Sequence, residues 1–241
     1  MGIACAATRL TRRGVNDKLR RRTPHWRDQL VADKEKYWGP GPVRLSVGFL
    51  DLGADERSLA SKILGFMNHW SRHADVEFYE HRAASEATIR IARRVGDGYW
   101  SAIGRECERI RAGEPTMNLE GFTETTPDDE FERTVVHEAG HCLGFEHEHL
   151  RAEVVANLDE QVVQIWFGVR TGWDPERIKQ EILTPLDESS TYATPAFDNR
   201  SVMCYFIPDI ACKDGVEVPG GRGIDEIDAA FVSTLYPPPR R

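Results

Sequence analysis

Apolar and small or polar side chains alternate along Val43-Arg44-Leu45-Ser46-Val47-Gly48-Phe49, the two-residue period of a half-buried strand. Over residues 55–70 the period changes. Leu59, Ile63, Phe66, Met67 and Trp70 recur at helical spacing and predict an amphipathic helix. Strand-like pieces follow at 76–79 and 88–92, with two more at 99–104 and 116–122. A helix is expected over about 129–143, capped by Asp128 or Asp129. Gly144 suits a left-handed ending to it. Two further helices are expected at 159–169 and 174–183, and the stripe Val162, Val163, Ile165 and Trp166 on the first reads as core. A last helix at 225–236 precedes Pro237-Pro238-Pro239. No internal repeat interrupts this order of strand, helix, strands, helix, then helices and loops, which indicates an α+β domain.

The chain has 241 residues, enough for one large domain with a sizeable core. Its net charge of −8 is unevenly spread. Residues 1–36 hold ten Lys/Arg against four Asp/Glu, whereas the remainder holds 21 against 35. An acidic body argues against nucleic acid as the main partner. No apolar run approaches the roughly 18 residues that a membrane-spanning helix needs. The turn-rich stretch Tyr37-Trp38-Gly39-Pro40-Gly41-Pro42 marks the expected start of the compact domain. Residues 1–36, with Arg20-Arg21-Arg22, then form a basic extension: a solvated tail, an arm for an acidic partner, or a propeptide. No export signal is visible in residues 1–36. The five cysteines form no CxxC pair and no disulfide scaffold.

Four of the eight histidines fall within thirteen residues, in His137-Glu138-Ala139-Gly140-His141-Cys142-Leu143-Gly144-Phe145-Glu146-His147 and then His149. Residues four apart share a helix face, so His137 and His141 can hold one metal ion together. Glu138 lies about 100° around the helix, within reach of a water on that metal without ligating it. Gly144 permits a sharp turn that returns His147 as a third ligand. Three imidazoles leave a fourth position open, the mark of a catalytic zinc site. Five fixed positions recur by chance on the order of 10⁻⁴ times in a chain of this length.

With these residues the chain resembles the metzincin metallopeptidases, and among them the astacin family. The zinc motif continues as Gly144-Phe145-Glu146-His147-Glu148-His149-Leu150-Arg151, and Ser201-Val202-Met203-Cys204-Tyr205 is similar to the family's Met-turn. The resemblance implies a metzincin-type α+β fold. A twisted mixed sheet with two long helices would form an upper part at 37–144, and an irregular helical lower part would follow at 145–241. It implies one catalytic Zn²⁺ held by His137, His141 and His147, with Tyr205 as a displaceable further ligand and oxyanion donor. Glu138 would be the general base, and Met203 an apolar floor beneath the metal. Trp100, Ser101 and Ala102 would form the edge strand along which an extended peptide lies. The activity implied is zinc-dependent endopeptidase action on proteins or peptides. The alternatives are a catalytically silent zinc binder of the same fold and a latent zymogen needing removal of residues 1–36. Secretion is implied by the resemblance, and a monomer is expected.

Lesser expectations concern neighbouring residues. His149 is expected to be a solvated surface residue. Glu148 reads as a group behind the metal ligands or a partner for an amino terminus, as in astacins, or equally as an ordinary surface carboxylate. Cys142 reads as a buried small apolar group, Cys204 and Cys212 as either paired or reduced, and Cys5 as a candidate inhibitory thiol.

Overall fold

A computed structural model describes residues 6–8, 32–53, 55–193 and 196–239. Its strands are β1 (Ala6–Thr8), β2 (Ala32–Asp33), β3 (Val43–Phe49), β4 (Val76–Glu80), β5 (Ile89–Ala92), β6 (Tyr99–Ala102), β7 (Met117–Leu119) and β8 (Thr191–Tyr192). Five of them form a mixed sheet in the order β6-β7-β5-β3-β4, and β1 adds a sixth strand outside β6. Neighbours are parallel except β6 and β7. β3 was expected to be half-buried, yet of its first five residues only Arg44 is exposed. It pairs on both edges, and its Ser46 hydroxyl is satisfied by Thr88 Oγ1 at 3.1 Å. Internal strands covered on both faces lose the alternation that the pattern suggested.

The helices are α1 (Arg57–Met67), α2 (Asp128–Glu130), α3 (Val136–Cys142), α4 (Ala152–Ala156), α5 (Glu160–Thr171), α6 (Pro175–Ile178) and α7 (Glu226–Leu235). α1 buries Leu59, Ala60, Ile63 and Met67, and a short turn at Trp70–Arg72 ends the stretch expected as one helix. The helix expected over 129–143 is not uniform. α2 and α3 are joined by a wide π-helical turn at Phe131–Val135, and no side chain caps the start at Pro127. Such turns recur at functional sites because they re-aim the side chains on either side. Phe131 in this turn stacks on Phe66 of α1 with ring centroids 5.2 Å apart. A similar π turn, Lys179–Leu183, follows α6. Asp159 caps α5 by accepting from the backbone N–H of Gln161 and Val162. Asp225 and Asp228 form a capping box on α7.

The upper core gathers Leu45, Val47, Ile63, Trp70, Ile91 and Phe131 with the inner face of α3. A smaller apolar cluster sits in the lower part, around Val163, Phe167, Ile178, Ile182 and Ile207. One residue of the expected α5 stripe is corrected. Ile165 is 69% exposed, while Val163 is buried and Val162 and Trp166 are half-buried.

The expected boundary at Tyr37 also moves. Ala32 is fully buried, β2 pairs antiparallel with β8, and Lys36 forms ion pairs with Glu146 at 2.8 Å and Glu106 at 3.3 Å. Residues 32–36 are therefore built into the domain. Most of the basic extension, with Cys5 and Arg20-Arg21-Arg22, lies outside the described residues.

Candidate metal centre

α3 supplies two imidazoles and a carboxylate, and every residue from Val136 to Cys142 is buried. The carbonyls at its end are taken up by distant side chains. Trp38 Nε1 donates to Cys142 O at 2.8 Å and Tyr236 Oη to Leu143 O at 2.5 Å. These bonds satisfy acceptors that a helix end leaves open. Gly144 then turns the chain with φ +97°, a conformation that only glycine adopts without strain, as expected from its place in the motif.

Past this turn His147 comes back to face the helix. Its Nε2 lies 3.2 Å from His137 Nε2 and 3.1 Å from His141 Nε2, and all three rings are at least 94% buried. The opposite nitrogens of two of them are fixed by main-chain carbonyls. His137 Nδ1 donates to Val202 O at 2.6 Å and His141 Nδ1 to Phe145 O at 2.7 Å. With the proton on Nδ1, the Nε2 lone pair points inward, the arrangement found where carbonyls orient metal-binding histidines. Burial, then the neighbouring His141, pushes the His137 pKa well below its ordinary value, so it is neutral. Two of the three facing nitrogens thus present lone pairs, and a cation placed between them would take a third from His147. Tetrahedral zinc with Zn–N near 2.05 Å has N···N edges of about 3.3 Å, close to the spacing here. The three histidines thus fit one Zn²⁺.

Glu138 is fully buried on the floor of a cleft of about 670 Å³, whose walls include Tyr99, Arg133, Trp166, Tyr205 and Arg222. Met203, fully buried, lies directly against Gly140. A Cβ at position 140 would collide with Met203 Sδ and meet Trp70 at 3.2 Å. The Tyr205 ring is 4.3 Å from that of His147 and 6.0 Å from that of His137. Along β6, Ser101 and Ala102 are buried and Trp100 is half-buried, and the strand's free edge is covered by β1 in parallel register, Ala6 beside Trp100 and Thr8 beside Ala102.

Several neighbours depart from expectation. His149 is fully buried, not solvated, because the chain after His147 dives beneath Tyr205 instead of running along the surface. Glu148 is likewise fully buried. Its Oε1 accepts from Asp198 N at 3.3 Å and faces Arg151 Nη1 at 3.4 Å. Burial pushes its pKa up to about 8, against the pull of Arg151. The cysteines do not depart: Cys142 is buried as expected, beside the Ser101 hydroxyl at 3.3 Å, and of the two alternatives for Cys204 and Cys212 the structure has the free thiols. The pattern reading missed Asp228. Its carboxylate accepts from Ser201 Oγ at 2.7 Å and Val202 N at 2.9 Å and so ties the turn carrying Met203 to α7. The spacing Asp225-x-x-Asp228 signalled a helix start, but nothing in sequence linked it to Ser201.

Comparison with known proteins places the chain in a family. Residues 31–214 match the family model of the astacin peptidases. The chain is 27% identical over 183 residues to Tolloid-like protein 2 of Homo sapiens, which is 76% of this chain and 16% of that protein. It therefore spans about a sixth of the length of that relative. A solved structure of myroilysin superposes with a TM-score of 0.78 at 26% identity, covering 87% of this chain and 100% of that one. A high choriolytic enzyme, a hatching-enzyme zinc-protease of Oryzias latipes, superposes with a TM-score of 0.53 at 17% identity. It covers 84% of this chain and 94% of its own, and shares the fold.

Proposed function

The chain belongs to the astacin family of zinc metalloendopeptidases, and from that premise we propose how its own residues divide the work of cutting a peptide bond. Zinc, when bound by His137, His141 and His147, supplies a Lewis acid that acidifies a water and polarises the scissile carbonyl. Glu138 takes the proton of the attacking water at a carboxylate oxygen and passes it to the departing amine. Tyr205 donates from its hydroxyl to the oxygen on which charge builds. The substrate lies extended along β6, with main-chain hydrogen bonds giving affinity.

The observation that carries this reading is the burial of Glu138 one residue from a ligand, on the floor of the cleft that also holds Tyr205. Glu138→Gln keeps the size of the side chain and removes the base. Elemental analysis is expected to find zinc unchanged, while casein cleavage falls by about three orders of magnitude or more. A variant that cuts as well as the wild type would remove Glu138 from the chemistry. A silent zinc binder of this fold needs neither Glu138 nor Tyr205.

A second reading is favoured by β1. A segment from the basic extension already pairs with the edge of β6 that a substrate would use. A strand already paired with this edge occupies the main-chain groups that an extended substrate would need. This supports a latent chain activated by cleavage between Thr8 and Ala32, since Ala32 onward is part of the domain. Mass spectrometry of the ageing protein beside its casein activity tests it. Activity that appears only with a product beginning within 9–32 bears it out, and full activity of the intact chain ends it.

A further inference from the structure

His149 has no part in the reading above. Its ring lies flat against the Tyr205 phenol, with centroids 4.4 Å apart and planes at 23°, and is tilted against His147 at 5.0 Å. Both of its nitrogens are engaged. Nδ1 accepts from the Tyr205 backbone N–H at 3.4 Å, and Nε2 faces the Glu181 carbonyl at 3.1 Å. A carbonyl only accepts, so Nε2 carries the proton and Nδ1 the lone pair, and a single neutral tautomer makes both bonds. Glu181 sits in the π turn after α6, whose Ile182 is fully buried in the lower apolar cluster. The imidazole is thereby anchored to the lower part at one end and to the Tyr205 main chain at the other.

A phenol that approaches and leaves a reacting oxygen must turn about its own Cα–Cβ axis. The backbone of that residue is then the pivot, and any drift of the pivot moves the hydroxyl by a comparable amount. We propose that His149 is a positioning residue that fixes the pivot of Tyr205 through its Nδ1 and offers the phenol a flat surface to turn against. This rests on the reading of Tyr205 as the oxyanion donor. Its expected signature is a fall in kcat with KM little changed, because an extended peptide is held by the β6 edge and not by Tyr205.

The test compares the wild type, Tyr205→Phe, His149→Phe and the double variant in the full chain. Zinc content, kcat and KM on one peptide are measured for each, with the visible charge-transfer band of the copper(II)-loaded proteins as a second readout. That band needs a tyrosine oxygen beside the metal and reports independently of turnover. Tyr205→Phe is expected to lose the band and to slow kcat about a hundredfold. His149→Phe is expected to keep its metal, to slow kcat about tenfold and to weaken or shift the band. The double variant is expected to be no slower than Tyr205→Phe, since residues acting through one group do not add. Two conservative variants decide the matter if His149→Phe folds poorly. Asn places its oxygen near the position of Nδ1, and Gln places its amide nitrogen near that of Nε2. His149→Asn should therefore restore kcat and band better than His149→Gln. An unchanged band and kcat in His149→Phe, losses that multiply in the double variant, or rescue by Gln and not Asn overturns the proposal. An unchanged kcat and band in Tyr205→Phe overturns the reading of Tyr205 itself, and the proposal with it.

Discussion

The two halves that meet at the three histidines are held together by different physics. In the upper part, β3, β5 and α1 bury a continuous apolar layer around Ile63, Trp70, Ile91 and Phe131. In the lower part the segment after Gly144 joins α4 to α7 by irregular backbone, and its one strand, β8, pairs with β2 from residues 32–33. It also buries titratable groups: Glu146, Glu148, Arg151, Asp198 and Asp228 are each no more than 7% exposed. The upper part delivers His137, Glu138 and His141 on one regular helix. The lower part delivers His147, Met203 and Tyr205 from irregular backbone, where hydrogen bonds to buried side chains replace periodic packing. A site half on a helix and half on loops needs both, because the helix fixes spacing and the polar network fixes the irregular pieces at similar precision.

This contrast makes Asp228 the first place to break it. Asp228→Ala strands the buried Ser201 hydroxyl and Val202 N–H and removes a partner of the half-buried Asp225 N–H. Unfolding in urea is expected to show a loss of about 2–4 kcal/mol, with casein activity falling as Met203 loses its support. A loss below about 0.5 kcal/mol would mean that the lower part does not depend on its buried polar network.

Gly140→Ala attacks the seam itself, where α3 touches Met203 with no room for a methyl group. Overpacking there is expected to cost about 1–3 kcal/mol and to weaken zinc retention under chelator challenge. Wild-type zinc retention in this variant would show that the two parts yield independently.

A gentler probe is pH. Burial, opposed by bonds from Val202 and Ser201, pushes the Asp228 pKa up to about 7, well above its unfolded value. The folded protein then holds a proton that the unfolded chain releases, so this contribution to stability is full below about pH 4 and fades as pH rises to about 7. Asn cannot ionise. The stability of the wild type relative to Asp228→Asn is expected to fall over that window, by at most about 1.4 kcal/mol per pH unit. A flat difference across pH 4–7 would mean that the carboxyl is ionised throughout.

The smallest effect is expected on the outer face of α5. Ile165→Ser replaces a mostly exposed side chain and should shift stability by no more than about 0.5 kcal/mol, read from the urea midpoint. A larger loss would mean that this face is covered by a partner.

How far the sequence reached follows the same division. Period and spacing were enough for β3, α1, α5 and α7, for the left-handed Gly144, and for three histidines able to meet at one ion, because local periodicity and a few fixed separations carry that information. They did not reveal the π turn before α3, where Phe131 is seated against Phe66 from a distant helix. Nor did they reveal the burial of His149 and Glu148. A polar residue looks alike in sequence whether water or a carbonyl satisfies it, and only tertiary structure supplies Glu181 O, Asp198 N and Arg151 as partners. The sequence by itself determined the chemistry available: imidazoles, a carboxylate, a phenol and a glycine hinge at workable separations. The tertiary structure decided which of these groups share a buried space, since long-range polar contacts between irregular segments leave no period to read.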